Sequence, residues 1–393
     1  MSHTRSYARF LICNFAPMKK LTDFLLILCC IAAVFSCGKQ EEYVPITPPD
    51  WNTPENSGNE DAGNYGLADL AMKQGIKLGA AFTYGEYSWN PQVAEILSHE
   101  FKAVTFGNEM KHDAIVQNDG TLRFNRADEM AAWAKEAGCE LFGHVLGWHS
   151  QQKTAYLNTL ISDPSAVDAA FKAYVYGMVE HFDVYAWDVV NETFADGAGG
   201  AFRTQGASAN DFVWGNHYPS TKDWVDAAFA YATEACAKYG KAPVLYINDY
   251  NLETDQSKRR ALCNYAKGNP NVTGVASQMH LDINIPDLKR KVKESLTDLA
   301  ATGKMVRISE LDLKNNNEEA QADMIKYIFE QYLAIVPAAQ RGGITFWGIN
   351  DKDSWLGENN HPLLWKGTGY EKKKVYEILY LYLCELNGIN PNQ

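Results

Sequence analysis

Two glutamates stand where a carboxylate is costly to place. Glu192 follows Asn191 in "YAWDVVNETF" (185–194), after six mostly apolar residues. Glu310 lies near the end of a second apolar run, "MVRISELDL" (305–313). Burying a carboxylate without partners is strongly unfavourable, so a strand that ends on one marks a candidate site. Taken singly, either residue reads equally well as a solvated strand end or half of a salt bridge. As a pair they are what glycosidic bond cleavage requires. One carboxyl, protonated, gives its proton to the leaving oxygen, while the other, ionised, attacks the anomeric carbon or activates water.

Such a pair needs elements that bring it together. Short apolar or β-rich runs recur at 77–82, 102–106, 140–148, 184–192, 243–250, 274–282, 305–313 and 343–351. Helical stretches lie between them, such as "RADEMAAWAKEAG" (126–138) and "DWVDAAFAYATEACAKYG" (223–240). Both repeat apolar residues at three- and four-residue spacing and stop at Gly. Strand–helix alternation predicts parallel strands with helices outside. Eight such strands predict a closed (β/α)8 TIM barrel as a single catalytic domain over 66–390. An open doubly wound sheet is the alternative, but no GxGxxG follows the first strand. Barrel active sites sit at the C-terminal strand ends. Glu192 ends the fourth strand and Glu310 stands near the end of the seventh, so the two face each other across the barrel mouth.

Composition agrees with a large globular core. The chain has 393 residues, 46% hydrophobic, 21% charged and 12% aromatic, with ten Trp and 21 Tyr. Net charge is −12, and no basic patch with interleaved aromatics occurs, which argues against a nucleic acid partner. Ahead of the barrel, "MKKLTDFLLILCCIAAVFSC" runs from Met18 to Cys37, with Lys19 and Lys20 before an apolar stretch from Phe24 to Phe35. That stretch is too short to span a bilayer and suits a signal peptide. Ser36-Cys37-Gly38 resembles a bacterial lipoprotein signal (18–37), with cleavage before Cys37 and lipid on its sulfur; a plain secretory signal cut elsewhere is the alternative. Residues 1–17 read as a mis-assigned upstream start. Residues 38–65, rich in Pro, Asn, Glu and Gly, read as a flexible tether. The expectation is an exported, lipid-anchored, monomeric protein on a bacterial membrane. Cys139, Cys236, Cys263 and Cys384 form no CxxC or zinc spacing; they read as buried small hydrophobes, with room for one or two disulfides.

Six motifs occur in an order that resembles the family 10 glycoside hydrolases, the endo-β-1,4-xylanases: "HVLGWHSQ" (144–151), "WDVVNE" (187–192), "LYINDYN" (245–251), "SQMH" (277–280), "ISELD" (308–312) and "FWGINDKDSW" (346–355). The resemblance covers roughly Leu67 to Leu386. It implies Glu192 as general acid/base, Glu310 as nucleophile and a covalent glycosyl-enzyme with retained configuration, without metal or organic cofactor. Asn191 would bond the 2-hydroxyl of the attacked sugar, and His144 would contact the same sugar. His280 and Asp312 would orient the nucleophile and keep it ionised. Trp347 and Trp355 would wall the site, Tyr250 would flank the leaving group, and Asn108 and Lys111 would bind the next sugar on the non-reducing side. Gln278, Trp148, His149 and Gln151 match positions near the cleft floor, with a purely structural role equally open for Trp148 and His149.

The sequence departs from that family's pattern in one region. "FGNEMKHD" has Gly107 where the family has a Glu, and His112 where a Trp is usual. Glu109 stands two residues on and is not assumed to replace the missing carboxylate. After "HSQ", "QKTAYLN" lacks the family's Pro and Trp. The non-reducing side of the cleft is therefore expected to differ, and xylan or a related β-glycan is the expected substrate. A non-catalytic surface glycan-binding lipoprotein is the alternative, disfavoured by retention of both carboxylates with Asn191, His280 and Asp312.

Overall fold

The computed structural model describes residues 65–315 and 317–391. Residues 1–17, the signal segment 18–37 with Cys37, and all of the tether 38–65 except Tyr65 lie outside the described residues. Eight parallel strands form a ring: β1 (Leu78–Phe82), β2 (Ala103–Phe106), β3 (Glu140–Gly147), β4 (Ala186–Asn191), β5 (Val244–Asp249), β6 (Gly274–Ser277), β7 (Met305–Lys314) and β8 (Arg341–Phe346). Each pairs with the next, and β1 pairs with β8 through Leu78↔Ile344 and Gly79↔Thr345, which closes the barrel and rules out the open sheet. Each strand is followed by a helix: α1 (Pro91–Glu100), α2 (Asn125–Glu136), α3 (Pro164–His181), α4 (Thr221–Tyr239), α5 (Gln256–Gly268), α6 (Leu288–Ala300), α7 (Glu318–Ile335) and α8 (Lys374–Leu386).

The strands are buried on both faces, which is why they read as near-continuous apolar runs. Their outward residues, such as Trp187, Val189, Leu245 and Ile247, pack in the layer beneath the helices. Their inward residues, Phe142, Ala186, Val244, Tyr246, Ala276 and Met305, form a separate cluster. The helix ends follow local chemistry. Asp163 caps α3 ahead of Pro164, Ser220 caps α4, and α4 stops at Gly240 with φ +67°, a conformation that favours glycine.

Inside the barrel the lining changes from apolar to polar toward the C-terminal ends. Along β5 the inward residues run Val244, Tyr246, Asn248. Along β7 they run Met305, Arg307, Ser309. Register shifts interrupt the period of two where the site begins: between Asp188 and Val190 in β4, and between Ile308 and Leu311 in β7. A shift of this kind re-aims the side chains beyond it. Its effect is visible at Ser309 and Glu310. In a regular strand these neighbours would point to opposite faces, yet both reach Asn248.

One expectation needs correction. The sixth run is not one strand. β6 ends at Ser277, Gln278 and Met279 leave the ladder with Met279 at φ +54°, and a short strand His280–Asp282 resumes beside β7. None of Cys139, Cys236, Cys263 and Cys384 is in a disulfide; all four are buried thiols. His112 lies in the core rather than at the cleft. It packs 4.8 Å from the ring of Tyr174 and 5.6 Å from that of Trp214, and burial pushes its pKa down to about 3.

Candidate active site

Glu192 is the first residue beyond β4 and adopts φ +57°, a left-handed conformation uncommon for a side chain of its size. Gln151 and Asn251, also on the cleft, share that conformation just past β3 and β5. Strained residues gathered at one end of a scaffold are held there by the surrounding structure. For Glu192 the hold is explicit. Its N–H donates to the Asn248 carbonyl at 2.9 Å, and its own carbonyl accepts from Arg203 Nε at 2.9 Å. Its Oε1 accepts from Gln278 Nε2 at 3.0 Å and from Asn191 Nδ2 at 3.3 Å.

Glu310 is held by the same two residues from the other side. Its N–H donates to the Gln278 carbonyl at 3.1 Å, and Asn248 Nδ2 donates to its Oε1 at 2.9 Å. Gln278 and Asn248 therefore each bridge the two glutamates, with a side-chain bond to the carboxylate of one and a backbone bond to the N–H of the other. Both glutamates line one open cleft of about 690 Å³ at the C-terminal strand ends. His280 Nε2 lies 3.2 Å from Glu310 Oε2, and its Nδ1 lies 2.8 Å from Asp312 Oδ2. Asp312 Oδ2 also accepts from Trp355 Nε1 at 2.8 Å. Burial opposes charge on His280, but Asp312 and then Glu310 outweigh it and lift the pKa to about 10. The imidazolium is thus shared between two carboxylates, and it balances the charge on Glu310 without sequestering it from the cleft.

This pairing has a measurable consequence for stability. Because the folded pKa of His280 lies above the ordinary 6.5, its contribution is complete below about pH 6.5 and is lost as pH rises through 10. The melting temperature should fall over that window, and His280→Asn should flatten the slope. Parallel melting curves against pH for the two proteins would contradict the assignment.

His144 Nδ1 meets Asp188 Oδ2 at 2.9 Å beneath the carboxylates. Burial drives both away from charge, His144 down to about 4 and Asp188 up to about 8. His144, Asp188 and Glu310 place ligand-type atoms within 4.8 Å of one another, the candidate metal cluster among the described residues. Hydrogen bonds already engage its members: His144 with Asp188, and Asn248 with both Asp188 (3.4 Å) and Glu310.

The remaining predicted residues also line the cleft. Trp347 stands 5.2 Å from the His144 ring, and Trp355 is 5.0 Å from the His280 ring and 62% exposed. Tyr250 lies toward β5, where its hydroxyl donates to Asp196 and accepts from Arg203 Nη2 at 3.0 Å. Lys111 donates to Gln151 Oε1 at 2.6 Å, and Gln151 Nε2 donates to Asn108 Oδ1 at 3.1 Å. Lys111 also sits 4.9 Å from the Trp148 ring, and burial lowers its pKa. His149 is buried beside the site, with Nε2 3.9 Å from both Glu192 Oε2 and Asp211 Oδ2. Glu109 points away from the cleft. It accepts from the Tyr84 N–H at 2.7 Å and the Asn108 N–H at 3.2 Å, so it does not replace the carboxylate absent at Gly107.

Sequence reasoning missed three contributors. Asn248 had a signal: it is a polar residue closing the buried run "VLYIN" within a quoted motif. Arg203 and Glu86 had none, since both come from segments outside the barrel strands.

Residues 66–381 match the family described as Glycosyl hydrolase family 10. The chain is 29% identical over 372 residues to an endo-1,4-beta-xylanase/feruloyl esterase of Xylanibacter ruminicola, covering 84% of this chain and 49% of that protein. It is 29% identical over 333 residues to endo-1,4-beta-xylanase C of Paenibacillus barcinonensis, covering 76% and 30%. The chain thus spans less than half the length of either relative. Among solved structures, xylanase 10B of Thermotoga petrophila in complex with xylobiose aligns with a TM-score of 0.72 at 26% identity, covering 84% of this chain and 99% of that one.

Proposed function

Because the chain belongs to glycosyl hydrolase family 10, we propose that it is a retaining, endo-acting hydrolase of β-1,4-linked xylan or a closely related β-glycan. The observation that carries the reading is the double bridge: Gln278 and Asn248 each bond both Glu192 and Glu310. Both glutamates are held by the same two residues and open onto one cleft, which supports their acting on one glycosidic bond. A retaining pair is expected about 5–5.5 Å apart.

Glu192 begins protonated and passes its proton to the leaving oxygen as the C–O bond breaks. Glu310 attacks the anomeric carbon, and its carboxylate becomes a neutral ester. Glu192, now ionised, takes a proton from water. The water oxygen displaces the ester, releasing the sugar and restoring both groups. Asn191 donates to the 2-hydroxyl of the attacked sugar, and His144 contacts the same sugar. His280 and Asp312 orient Glu310. Trp347 and Trp355 supply the walls, and Tyr250 flanks the leaving group. Asn108 and Lys111, with Trp148 and Gln278 nearer the floor, complete the binding surface. Similarity to endo-1,4-beta-xylanases, and xylobiose in the Thermotoga petrophila structure, support xylan as the polymer.

The test is product analysis on a panel of β-linked xylans, glucans and mixed polymers, read by release of reducing ends. Internal cleavage of xylan with retained configuration is expected. Binding without new reducing ends would replace the hydrolase reading with that of a glycan-capture protein. We further place the protein outside the cytoplasm as a lipid-anchored monomer, with the lipid on Cys37. Metabolic labelling with a radioactive fatty acid should mark the wild type and not Cys37→Ala; label on both would overturn the anchor.

A further inference from the structure

The helix Tyr84–Trp89, between β1 and α1, carries a carboxylate that the two-step reaction does not use. Glu86 lines the cleft. The Thr83 N–H and hydroxyl both donate to its Oε2, at 2.6 and 2.7 Å, which leaves Oε1 outside these bonds. The helix beneath it is fixed. Thr83 Oγ1 accepts from the Glu86 N–H, completing a capping box, and the Tyr84 hydroxyl donates to Glu129 at 2.9 Å. Tyr87 packs on Trp133 at 5.4 Å. Glu86 is therefore a preorganised acceptor with one oxygen committed and one to spare.

Gly107, which contributes no side chain, lines the same cleft on the other side of Thr83. A Cβ there would meet Thr83 Cγ2 at 3.0 Å, so Thr83 occupies the space a side chain would need. Lys111 is a donor here and Asn108 is tied to Gln151, so the carboxylate held against Thr83, and through it toward Gly107, is Glu86. Two negative groups, Asp353 and Glu109, act on Glu86. Asp353 also lines the cleft, where its Oδ2 accepts from the Tyr370 hydroxyl at 2.8 Å. Burial pushes the Glu86 carboxyl up, the Thr83 bonds hold it down, and Asp353 and Glu109 add a further push upward.

We infer that Glu86 is a specificity-determining residue: its free oxygen accepts a hydrogen bond from a hydroxyl of a neutral sugar bound beside Gly107, and together with Asp353 it disfavours a sugar there that carries a carboxylate. The first half follows from the strength of a hydroxyl bond to an ionised acceptor. The second follows from like charges: Glu86 and Asp353 both line the cleft, and Lys111 there is already engaged by Gln151. The inference rests on the hydrolase reading above and names what one side of that cleft selects.

The test compares kcat/KM for three substrates: xylotetraose, xylotetraose bearing a glucuronic acid branch, and an aryl β-xyloside that fills only the sugar position under attack. Glu86→Gln keeps an acceptor for the Thr83 N–H. It should lower kcat/KM on xylotetraose about tenfold, with a clearly smaller loss on the aryl xyloside. The preference for neutral over branched tetraose should shrink by about fivefold. Glu86→Asp keeps the charge but withdraws it by one methylene, so it should lose the hydroxyl bond and retain the discrimination. A melting temperature for each variant shows whether the helix still folds. Equal losses on all three substrates, or no loss on any, would overturn the inference and leave Glu86 as a helix cap. Absence of wild-type activity on every substrate would instead overturn the hydrolase reading.

Discussion

Glu310→Ala should abolish turnover, lowering kcat by at least about 10⁴-fold, while leaving glycan binding largely intact. Without the carboxylate no ester forms on the enzyme, and Glu192 has no attack to assist. The fold should survive, because His280 keeps Asp312 as a charge partner and Asn248 keeps Ser309. The removed side chain leaves space below the anomeric carbon that azide fills. Azide should then attack that carbon directly, with Glu192 still protonating the leaving oxygen. The product is a glycosyl azide of inverted configuration. Product stereochemistry by NMR checks this. Undiminished hydrolysis, or azide without effect, would remove Glu310 from the nucleophile's role.

Glu192→Ala should show a different pattern, because it removes a proton donor and acceptor and leaves the attacking group. On xylan, whose leaving oxygen needs a proton, the loss should be about 10²–10⁴-fold. On an aryl xyloside with a dinitrophenyl leaving group, the first step needs no acid and should proceed at nearly its normal rate. The glycosyl-enzyme then accumulates, since no base activates water. Added azide needs no base. It should accelerate turnover and give a glycosyl azide of retained configuration, two inversions in sequence. Opposite azide stereochemistry from the two variants separates nucleophile from acid/base. Loss of equal size on both substrates would show that Glu192 does not act as the acid.

Much of the scaffold was legible because its signals are local. A strand buried on both faces is apolar throughout, as in "VLYIN", and α4 repeats its apolar face every three or four residues before stopping at Gly240. Glu192 and Glu310 were legible for the inverse reason: a carboxylate closing such a strand contradicts its surroundings. What the sequence did not disclose is how neighbouring strands slide. Ser309 and Glu310 both face Asn248 because β7 shifts register against β8, and no pattern within β7 announces this. The break after Ser277 that swings His280 beside Asp312 is of the same kind.

The alternation of strands and helices, and the placing of Glu192 and Glu310 at the ends of buried strands, were determined by the sequence alone, since each depends on the chemistry of residues close along the chain. Tertiary structure alone decided three things. It made Gln278 and Asn248 the residues that each bond both glutamates, it buried His112 and Glu109 away from the cleft, and it brought Glu86 from an outlying helix to the cleft that Gly107 also lines. Those outcomes depend on contacts between residues up to 102 positions apart, whose free energies are set by packing and by the loss of water from shared space rather than by any residue's own preference.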